Sequence, residues 1–344
     1  MLHLDKKSKS QNSDENTNGP VKTKTVKREN LTRKELKKLK FEKKGKGQNF
    51  EIAEKLKIIW EELRSLHPSG AYPVQPFYTE PPSHKGDTKP EKKSQLLKQA
   101  CDLLKGRVKE FTFAHDTVRV LECILAEGAE THRTLLFDEL KNDIIPLSRS
   151  KYGKFFIEKV LRYGSKEQKG VVMKAFHGKI VQLIKHTEAA EVVELAFNEC
   201  ANGAQRFEFV QEFFDPTYKY FKNNEVSSLG ELLEKQPDKK ASIIKYMKEE
   251  LVKVLNKSVI KHSIVHHILW LFMRYADSVS KSEVIESVRD IVHEILHTKD
   301  GSRVGMHCVW YGTAKDRKVI VKCMKTFVTK IAMEEHGHMV LLAL

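Results

Sequence analysis

Two histidines four residues apart, with a glutamate after the first, form the stretch HEILH at residues 293–297. On an α-helix this spacing turns both imidazoles to one face, where they can hold zinc while the glutamate serves as a general base. A catalytic zinc needs a third protein ligand as well. The next candidate, His307, lies ten residues beyond His297, one off the longer zinc-protease spacing, and no glycine fills the required position. Since the chain holds 15 histidines, we interpret HEILH as a chance match and predict neither a metal nor a cofactor.

The elements around HEILH are predicted to be helical, from about residue 93 to the end of the chain. Leucine, isoleucine and valine recur at i, i+3 and i+4, prolines are few, and no sustained alternation of period two indicates a strand. The longest apolar run, near Ile268–Met273, is far too short to cross a membrane. The sequence therefore predicts an all-α protein with no membrane partner.

The predicted helices repeat. The segments GAETHRTLLFDEL, GSKEQKGVVMKAF and GTAKDRKVIVKCM begin at Gly128, Gly164 and Gly312, and each follows an apolar helix. We expect each glycine to adopt the left-handed conformation that commonly follows a helix end. Cys200 and Ala276 occupy the glycine position in two further copies.

The period of the repeat follows from the residue six before each of these positions. Successive copies are 36, 36, 76 and 36 residues apart, and the gap of 76 fits two units, with a degenerate one near Leu232. A helical period of about 36 residues predicts an α-solenoid of three-helix, armadillo-like units. In this register HEILH matches VQLIK of the second unit and TKIAM of the sixth, which are ordinary packing segments.

Charge and composition divide the chain into segments. The net charge is +15, and residues 1–50 alone hold 15 Lys/Arg against 6 Asp/Glu. A basic balance of this size predicts a polyanionic partner. Residues 1–30 are predicted to be a disordered basic tail, 31–67 a lysine-rich to amphipathic helical lead-in, 68–92 a proline-rich linker, and 93–344 an array of about seven units.

The cysteines and the two ends of the chain complete this description. Five scattered cysteines without a C-x-x-C pair, and an N-terminus without an apolar signal segment, favour a reducing compartment. The chain ends within the helical stretch MVLLAL, part-way through a seventh unit. We interpret it as a fragment or a truncated product.

A 36-residue helical unit resembles the Pumilio (Puf) repeat, whose middle helix carries a five-residue window that contacts RNA. In that family the first and fifth window residues meet a base edge, and the second stacks between bases. Matching windows in this sequence are Val118–Glu122, Lys154–Glu158, Ala190–Glu194, His266–Trp270, Ser302–Met306 and His338–Leu342.

Longer motifs are similar to the divergent Puf-A/Penguin branch of the family, among them FAHDTVRVLEC, IKHSIVHHIL and HTKDGSRVGMHCVWYGTAKDRKVIVKCM. The resemblance covers about residue 31 to the end. It implies a protein of the nucleus, mainly the nucleolus, that serves large-subunit ribosome biogenesis. It also implies binding of structured or single-stranded RNA, expected to be pre-rRNA, and of DNA, together with pre-ribosomal protein partners and a monomeric state.

The resemblance also implies which residues contact RNA: Arg119, Lys154, Phe155, Glu158, His266, His267, Ser302 and Arg303. Ordinary Puf windows pair Asn or Cys with Gln, or Ser with Glu, to read a base. Here no fifth position is glutamine, and Trp270, Met306 and Leu342 cannot read a base edge by hydrogen bonding. We therefore expect basic and planar side chains along one flank to bind phosphates and stack on bases, without a base-by-base code.

The function expected from these features is a non-catalytic scaffold that binds RNA or DNA with low sequence specificity. Two alternatives remain open besides the zinc enzyme. The first is a sequence-selective mRNA-binding repressor of translation, since some members of the branch repress particular messages. The second is a helical protein–protein interaction scaffold, in which the positive charge belongs mostly to a nuclear-targeting tail.

Overall fold

The computed structural model describes residues 49–66, 90–223, 225–255 and 257–344. The fold lies in the compact unit Ile52–Leu344. The predicted disordered tail, most of the lysine-rich lead-in and most of the predicted linker lie outside the described residues. Within the described ranges there is no β-strand, and none of their helices is long and apolar enough to span a membrane.

Two helices precede the repeats. Helix α1, Phe50–Ser65, carries the predicted apolar face, from which Leu56, Ile59 and Leu63 are buried in the core. Helix α2, Pro90–Leu104, begins inside the predicted linker. A proline suits the first turn of a helix because its missing N–H would have no intrahelical partner there.

The remaining helices form repeating units of a short first element, a middle helix and a third helix. Units one to three are α3 Val108–Thr112, α4 His115–Glu127, α5 Glu130–Leu140; α6 Ile144–Arg149, α7 Gly153–Tyr163, α8 Lys166–Phe176; and α9 Ile180–Ile184, α10 Thr187–Leu195, α11 Gly203–Gln211. Unit four has the 3₁₀ turn Pro216–Lys219, α12 Leu229–Lys235, the 3₁₀ turn Pro237–Lys239 and α13 Lys240–Leu255. Units five and six are the 3₁₀ turn Ser258–Lys261, α14 Ser263–Tyr275, α15 Ser278–Val288; and the 3₁₀ turn Val292–Glu294, α16 Lys299–Tyr311, α17 Ala314–Met324. The 3₁₀ turn Lys325–Phe327, α18 Val328–Met333 and α19 His338–Ala343 follow.

One buried apolar cluster runs through the units from Leu56 to Val340. The middle helices α4, α7 and α10 pack in succession, as do α14, α16 and α19. A single unit cannot bury its own apolar face, so stacking supplies the core. The predicted solenoid of three-helix units is thus present, and all six predicted windows lie on middle helices.

The glycines that end the middle helices are not left-handed, contrary to the sequence prediction. Their backbone is extended, with φ of −73° at Gly128, −69° at Gly164 and −70° at Gly312. A Cβ on each would lie 2.4–2.5 Å from the carbonyl oxygen four residues earlier. The tight approach of that carbonyl, rather than a positive φ, therefore favours glycine. Ala276 in the same place shows that the smallest side chain is accommodated.

The third unit contains one extra residue, so the predicted placement of Cys200 in the glycine position is wrong. A π-helix, Ala196–Cys200, extends α10, and Ala201 donates its N–H to Ala196 five residues back. In other units the equivalent bond spans four residues, as from Gly164 to Val160. Ala201, not Cys200, therefore occupies the glycine position. A π-helical turn absorbs a single inserted residue without breaking the helix.

The fourth unit interrupts the regular contact pattern. Bonds between neighbouring units usually join residues about 34 apart, as Lys109 and Asp143 do at 2.7 Å. Around the fourth unit the separation doubles: the Lys257 ammonium donates to the Lys185 carbonyl, 72 residues away, at 2.7 Å. The third unit thus contacts the fifth directly. The predicted degenerate unit near Leu232 corresponds to α12, where this residue is fully buried.

Candidate nucleic-acid interface

The middle helices present a regular pattern of burial along the predicted windows. The third and fourth residues of the first five windows are buried in the core. The first residue is buried too, with an exposed fraction of 7% or less: Val118, Lys154, Ala190, His266 and Ser302. Only the second and fifth residues of these windows are half-exposed. A nucleic acid lying on this face would therefore meet second and fifth positions.

This burial corrects three of the predicted RNA contacts. The Lys154 ammonium pairs with Glu188 at 2.7 Å and also with Glu191 in the next unit. The Ser302 hydroxyl donates to the His336 carbonyl at 2.7 Å. Each side chain is turned into the boundary between units and bonds the following unit or its lead-in segment. In this conformation these first-position side chains stabilise stacking and have little or no surface for a base.

His266 is the third corrected residue and is fully buried. Its Nε2 lies 2.7 Å from the Ile260 carbonyl and its Nδ1 lies 2.7 Å from the Thr298 hydroxyl. Because a carbonyl can only accept, Nε2 carries the proton and donates it, and Nδ1 accepts from the hydroxyl. Burial, together with the nearby His297, lowers the pKa of His266 to about 3. The imidazole is therefore neutral near pH 7 and links the fifth unit to the sixth.

The second window positions supply planar side chains. Arg119 places its guanidinium 5.7 Å from the Trp60 ring centre and within 3.3 Å of His115. Phe155 is half-buried, with the Lys154 ammonium 5.3 Å from its ring centre. Arg119 and Phe155, both predicted RNA contacts, lie at the second window position of two successive middle helices, α4 and α7. Flat surfaces of this kind accept stacked bases of any sequence.

A second planar group joins the fourth and fifth windows, which lie in units five and six. Asp300 accepts from His267 Nδ1 at 2.6 Å and from the Arg303 guanidinium at 3.1 Å. Burial opposes ionisation of Asp300, but the hydrogen bond from His267 and the charge of Arg303 outweigh it and lower the pKa of Asp300. The Arg303 guanidinium also lies 5.3 Å from the Trp270 ring centre. The structure thus brings two predicted residues, His267 and Arg303, together on one carboxylate.

The fifth window positions of the first three units are glutamates. Burial raises the pKa of Glu158 to about 7, which nearby Lys154 partly opposes and Glu191 reinforces. Burial likewise raises the pKa of Glu122. Glu194 has a structural task, because its carboxylate accepts the backbone N–H of Ser263 at 2.7 Å. None of these environments selects a particular base.

The charge of this face differs from the sequence expectation of a basic flank. The middle helices of units one to three, α4, α7 and α10, carry four basic side chains: Arg119, Lys154, Lys159 and Arg162. Five carboxylates stand among them: Glu122, Glu158, Glu188, Glu191 and Glu194. Phosphate attraction at these windows is therefore largely offset by their own carboxylates.

HEILH has no zinc-site geometry. Its residues form a 3₁₀ turn and irregular turns rather than an α-helix, so the i, i+4 alignment is lost. The His293 ring stacks on Phe327 with centres 4.4 Å apart, while the His297 ring meets the edge of His266 at 5.1 Å. Among the described residues, no three His, Cys, Asp or Glu side chains are grouped to hold a metal ion.

Comparison with known proteins relates this arrangement to others. No family model matches the sequence. Pumilio homolog 3 of Homo sapiens is 38% identical over 86% of this chain and 43% of its own length. Pumilio homolog 3 of Danio rerio is 41% identical over 90% of this chain and 46% of its length. The crystal structure of human Puf-A matches with a TM-score of 0.75 at 38% identity, covering 86% of this chain and 54% of that one.

The chain belongs to the Pumilio-homology family. The predicted all-α Puf solenoid and the likeness to Puf-A are thereby confirmed. Human Puf-A has also been solved in complex with DNA, and that structure matches with a TM-score of 0.74. The chain spans less than half the length of the curated relatives it matches.

The Puf units of this chain share a basic residue that the sequence analysis missed. It lies in the first turns of the third helix and donates to carbonyls at the end of the middle helix, as Arg133 does to Leu125 at 2.7 Å and Arg206 to Phe197 at 2.8 Å. Lys169 and Arg317 make the equivalent bond. A basic residue five positions after each glycine-type residue is the signal. These cations satisfy carbonyls at the end of the middle helix.

Proposed function

We propose that this chain is a non-catalytic scaffold that binds RNA or DNA with low sequence selectivity. The observation that carries the proposal is the burial of the first window positions. Base reading in a Puf window needs hydrogen-bonding groups at the first and fifth positions, and here the first are buried while Trp270 and Met306 lack the chemistry. The likeness to human Puf-A, which has been solved with DNA, supports the nucleic-acid partner.

The remaining half-exposed groups suit a ligand that offers phosphates and unstacked bases. Arg119, Phe155, His267 and Arg303 provide planar surfaces, and stacking on such surfaces contributes about 1–3 kcal/mol per base whatever its identity. Lysine and arginine bind phosphates by charge, which carries no sequence information. Affinity should then depend strongly on salt and weakly on sequence.

Fluorescence anisotropy of the whole chain with three labelled RNAs of unrelated sequence tests this function. If about six phosphates of a single strand are neutralised, log K falls against log salt with a slope near −4. We expect the three RNAs to bind within about tenfold of each other. One RNA bound a thousandfold tighter would favour the sequence-selective repressor, and absence of binding would favour the protein–protein scaffold.

We further propose that the chain acts in the nucleolus on large-subunit pre-rRNA, as a monomer among pre-ribosomal proteins. The support is the likeness to the Puf-A branch. Crosslinking in cells followed by sequencing of the attached RNA should recover mainly pre-rRNA. Recovery of a narrow set of mature messages would contradict this placement. Deletion of residues 1–50 should leave appreciable RNA affinity, because the repeats themselves are proposed to bind.

A further inference from the structure

Helix α17 of the sixth unit is the most basic of the third helices. Its residues 314–324 hold four Lys/Arg against one acid, Asp316, a net of +3, whereas α8 and α13 each carry +2 and α5, α11 and α15 carry no net positive charge. Asp316 is buried and accepts from the Arg289 guanidinium at 2.6 Å, so it screens little of this charge. The net positive charge of the sixth unit thus lies on this helix.

Three lysines of helix α17 share one solvent-facing side of the sixth unit. Lys315, Lys318 and Lys322 follow the i, i+3, i+7 spacing that places residues on one helix face. All three are exposed, and none pairs with a carboxylate within the described residues. We call them the outer lysine stripe.

The repeat register shows what happens to these positions when a further unit is stacked. The equivalent residues are solvent-exposed in three units: Thr131, Thr134 and Asp138 in unit one, Glu167, Gly170 and Lys174 in unit two, Val279, Ser282 and Glu286 in unit five. In unit three Ala204 is exposed, whereas Phe207 is half-buried and Gln211 is buried. Val321 of unit six is exposed where its counterpart Ile285 in unit five is fully buried. The stripe therefore lies on a face that neighbouring units leave open in units one, two and five. Of these five units, only the sixth has lysine at all three positions.

We propose that the outer lysine stripe binds successive phosphates of a nucleic-acid strand, at a surface separate from the middle-helix windows. The inference rests on the proposed function and names a surface for it. Seven residues of helix span about 10 Å, the axial length occupied by about three phosphates of one strand. Lysine ammonium groups bind phosphates as point charges and read no base. At the first three windows, nearby carboxylates offset the positive charge. The stripe has no such carboxylate partners in the part of the chain that the structure describes, so its charge is available to phosphates.

The test compares two charge-matched variants of the whole chain. K315Q/K318Q/K322Q removes the stripe, and K98Q/K166Q/K245Q removes three exposed lysines that lie apart on other helices. Glutamine is nearly as good a helix former as lysine, so the helices should be kept, which circular dichroism checks. Anisotropy is measured with a 20-nucleotide RNA single strand and a 20-base-pair duplex at several salt concentrations.

We expect the stripe variant to bind the single strand about tenfold to a hundredfold more weakly, with a salt slope shallower by about 2. The scattered control should change the slope by less than about 0.5. Replacement of the three lysines by arginine should preserve affinity, which distinguishes lost charge from lost folding.

Three results would overturn the proposal. The stripe variant could keep wild-type affinity and slope, or both glutamine variants could lose affinity equally, in which case only net charge matters. The stripe variant could also keep RNA binding but lose binding of a poly-glutamate peptide, which would assign the stripe to an acidic protein partner. If the unmodified chain binds neither RNA, the proposed function itself fails, and this outcome is distinct from the other three.

Discussion

Glu194 joins the third unit to the fifth, and removing its carboxylate tests the junction around the degenerate unit. The carboxylate accepts the backbone N–H of Ser263 at 2.7 Å and of Ile264 at 3.2 Å. These are first-turn amides of α14, whose own N-cap residue, His262, makes no side-chain capping bond. A helix start leaves such amides without intrahelical partners. Glu194 therefore caps α14 from another unit.

The cost of Glu194→Ala follows from these two bonds. A hydrogen bond to a charged group contributes about 1.5–3 kcal/mol, and loss of a helix N-cap costs about 0.5–2 kcal/mol. The freed amides are near the surface and can be hydrated in part, so we expect a loss of about 2 kcal/mol. Glu194→Gln keeps one carbonyl acceptor and should lose about half as much.

Hydrogen exchange is the suitable assay, because repeat arrays can unfold in parts and a single unfolding free energy is then poorly defined. Backbone amides of residues 258–275 should exchange about 30-fold faster in Glu194→Ala, and those of 115–127 should be unchanged. Glu249→Ala is the control, since that exposed glutamate has no bonded partner among the described residues. Equal exchange of 258–275 in all three proteins would refute the assignment of Glu194 as a cap.

Two further predictions concern side chains that hold neighbouring units together. His266 is neutral when folded, with a pKa of about 3 against an ordinary 6.5, so its stabilising effect is full above pH 6.5 and is lost as the pH falls towards 3. Between pH 7 and 5 the unfolding free energy of the wild type should fall about 2 kcal/mol more than that of His266→Asn, and parallel urea-unfolding curves would contradict this. Arg133 donates to three carbonyls of two units, so Arg133→Ala should cost about 2 kcal/mol in thermal or urea unfolding, whereas Arg133→Lys should cost less, since Lys169 fills the same position in the next unit. Equal losses in the two variants would speak against the carbonyl-binding role.

Helical periodicity was sufficient to predict the solenoid, because apolar spacing and unit length are properties of neighbouring residues. The π-helix of the third unit was not predictable in that way, since one added residue changes no local pattern. The helix start at Asn202–Gln205 held the missing signal: this pair is a capping box like Ser165–Gln168, 37 residues earlier rather than 36. Counting from helix starts would have placed the insertion correctly.

The candidate site was predicted less well, because burial depends on partners about 34 residues away. Lys154 and His266 have the polar character of surface residues, yet Glu188 and Thr298 on the following unit enclose them. The second positions, predicted to stack on bases, are half-exposed in the first five windows, and their contact with RNA stays a prediction. The lysines of GTAKDRKVIVKC were visible in the sequence, but only the burial of equivalent positions distinguishes the outward three from Arg317, which bonds the Gly312 carbonyl.

Selection from a random RNA pool tests most directly the central claim, that this Puf array binds phosphates and base faces without reading base edges. The whole chain is incubated with a pool of random 20-nucleotide RNAs at moderate salt, and the bound fraction is sequenced after each round. The account predicts enrichment spread over many unrelated sequences, with no position dominated by one base. A single short motif that takes over the pool, and binds a thousandfold tighter than scrambled RNA, would contradict it.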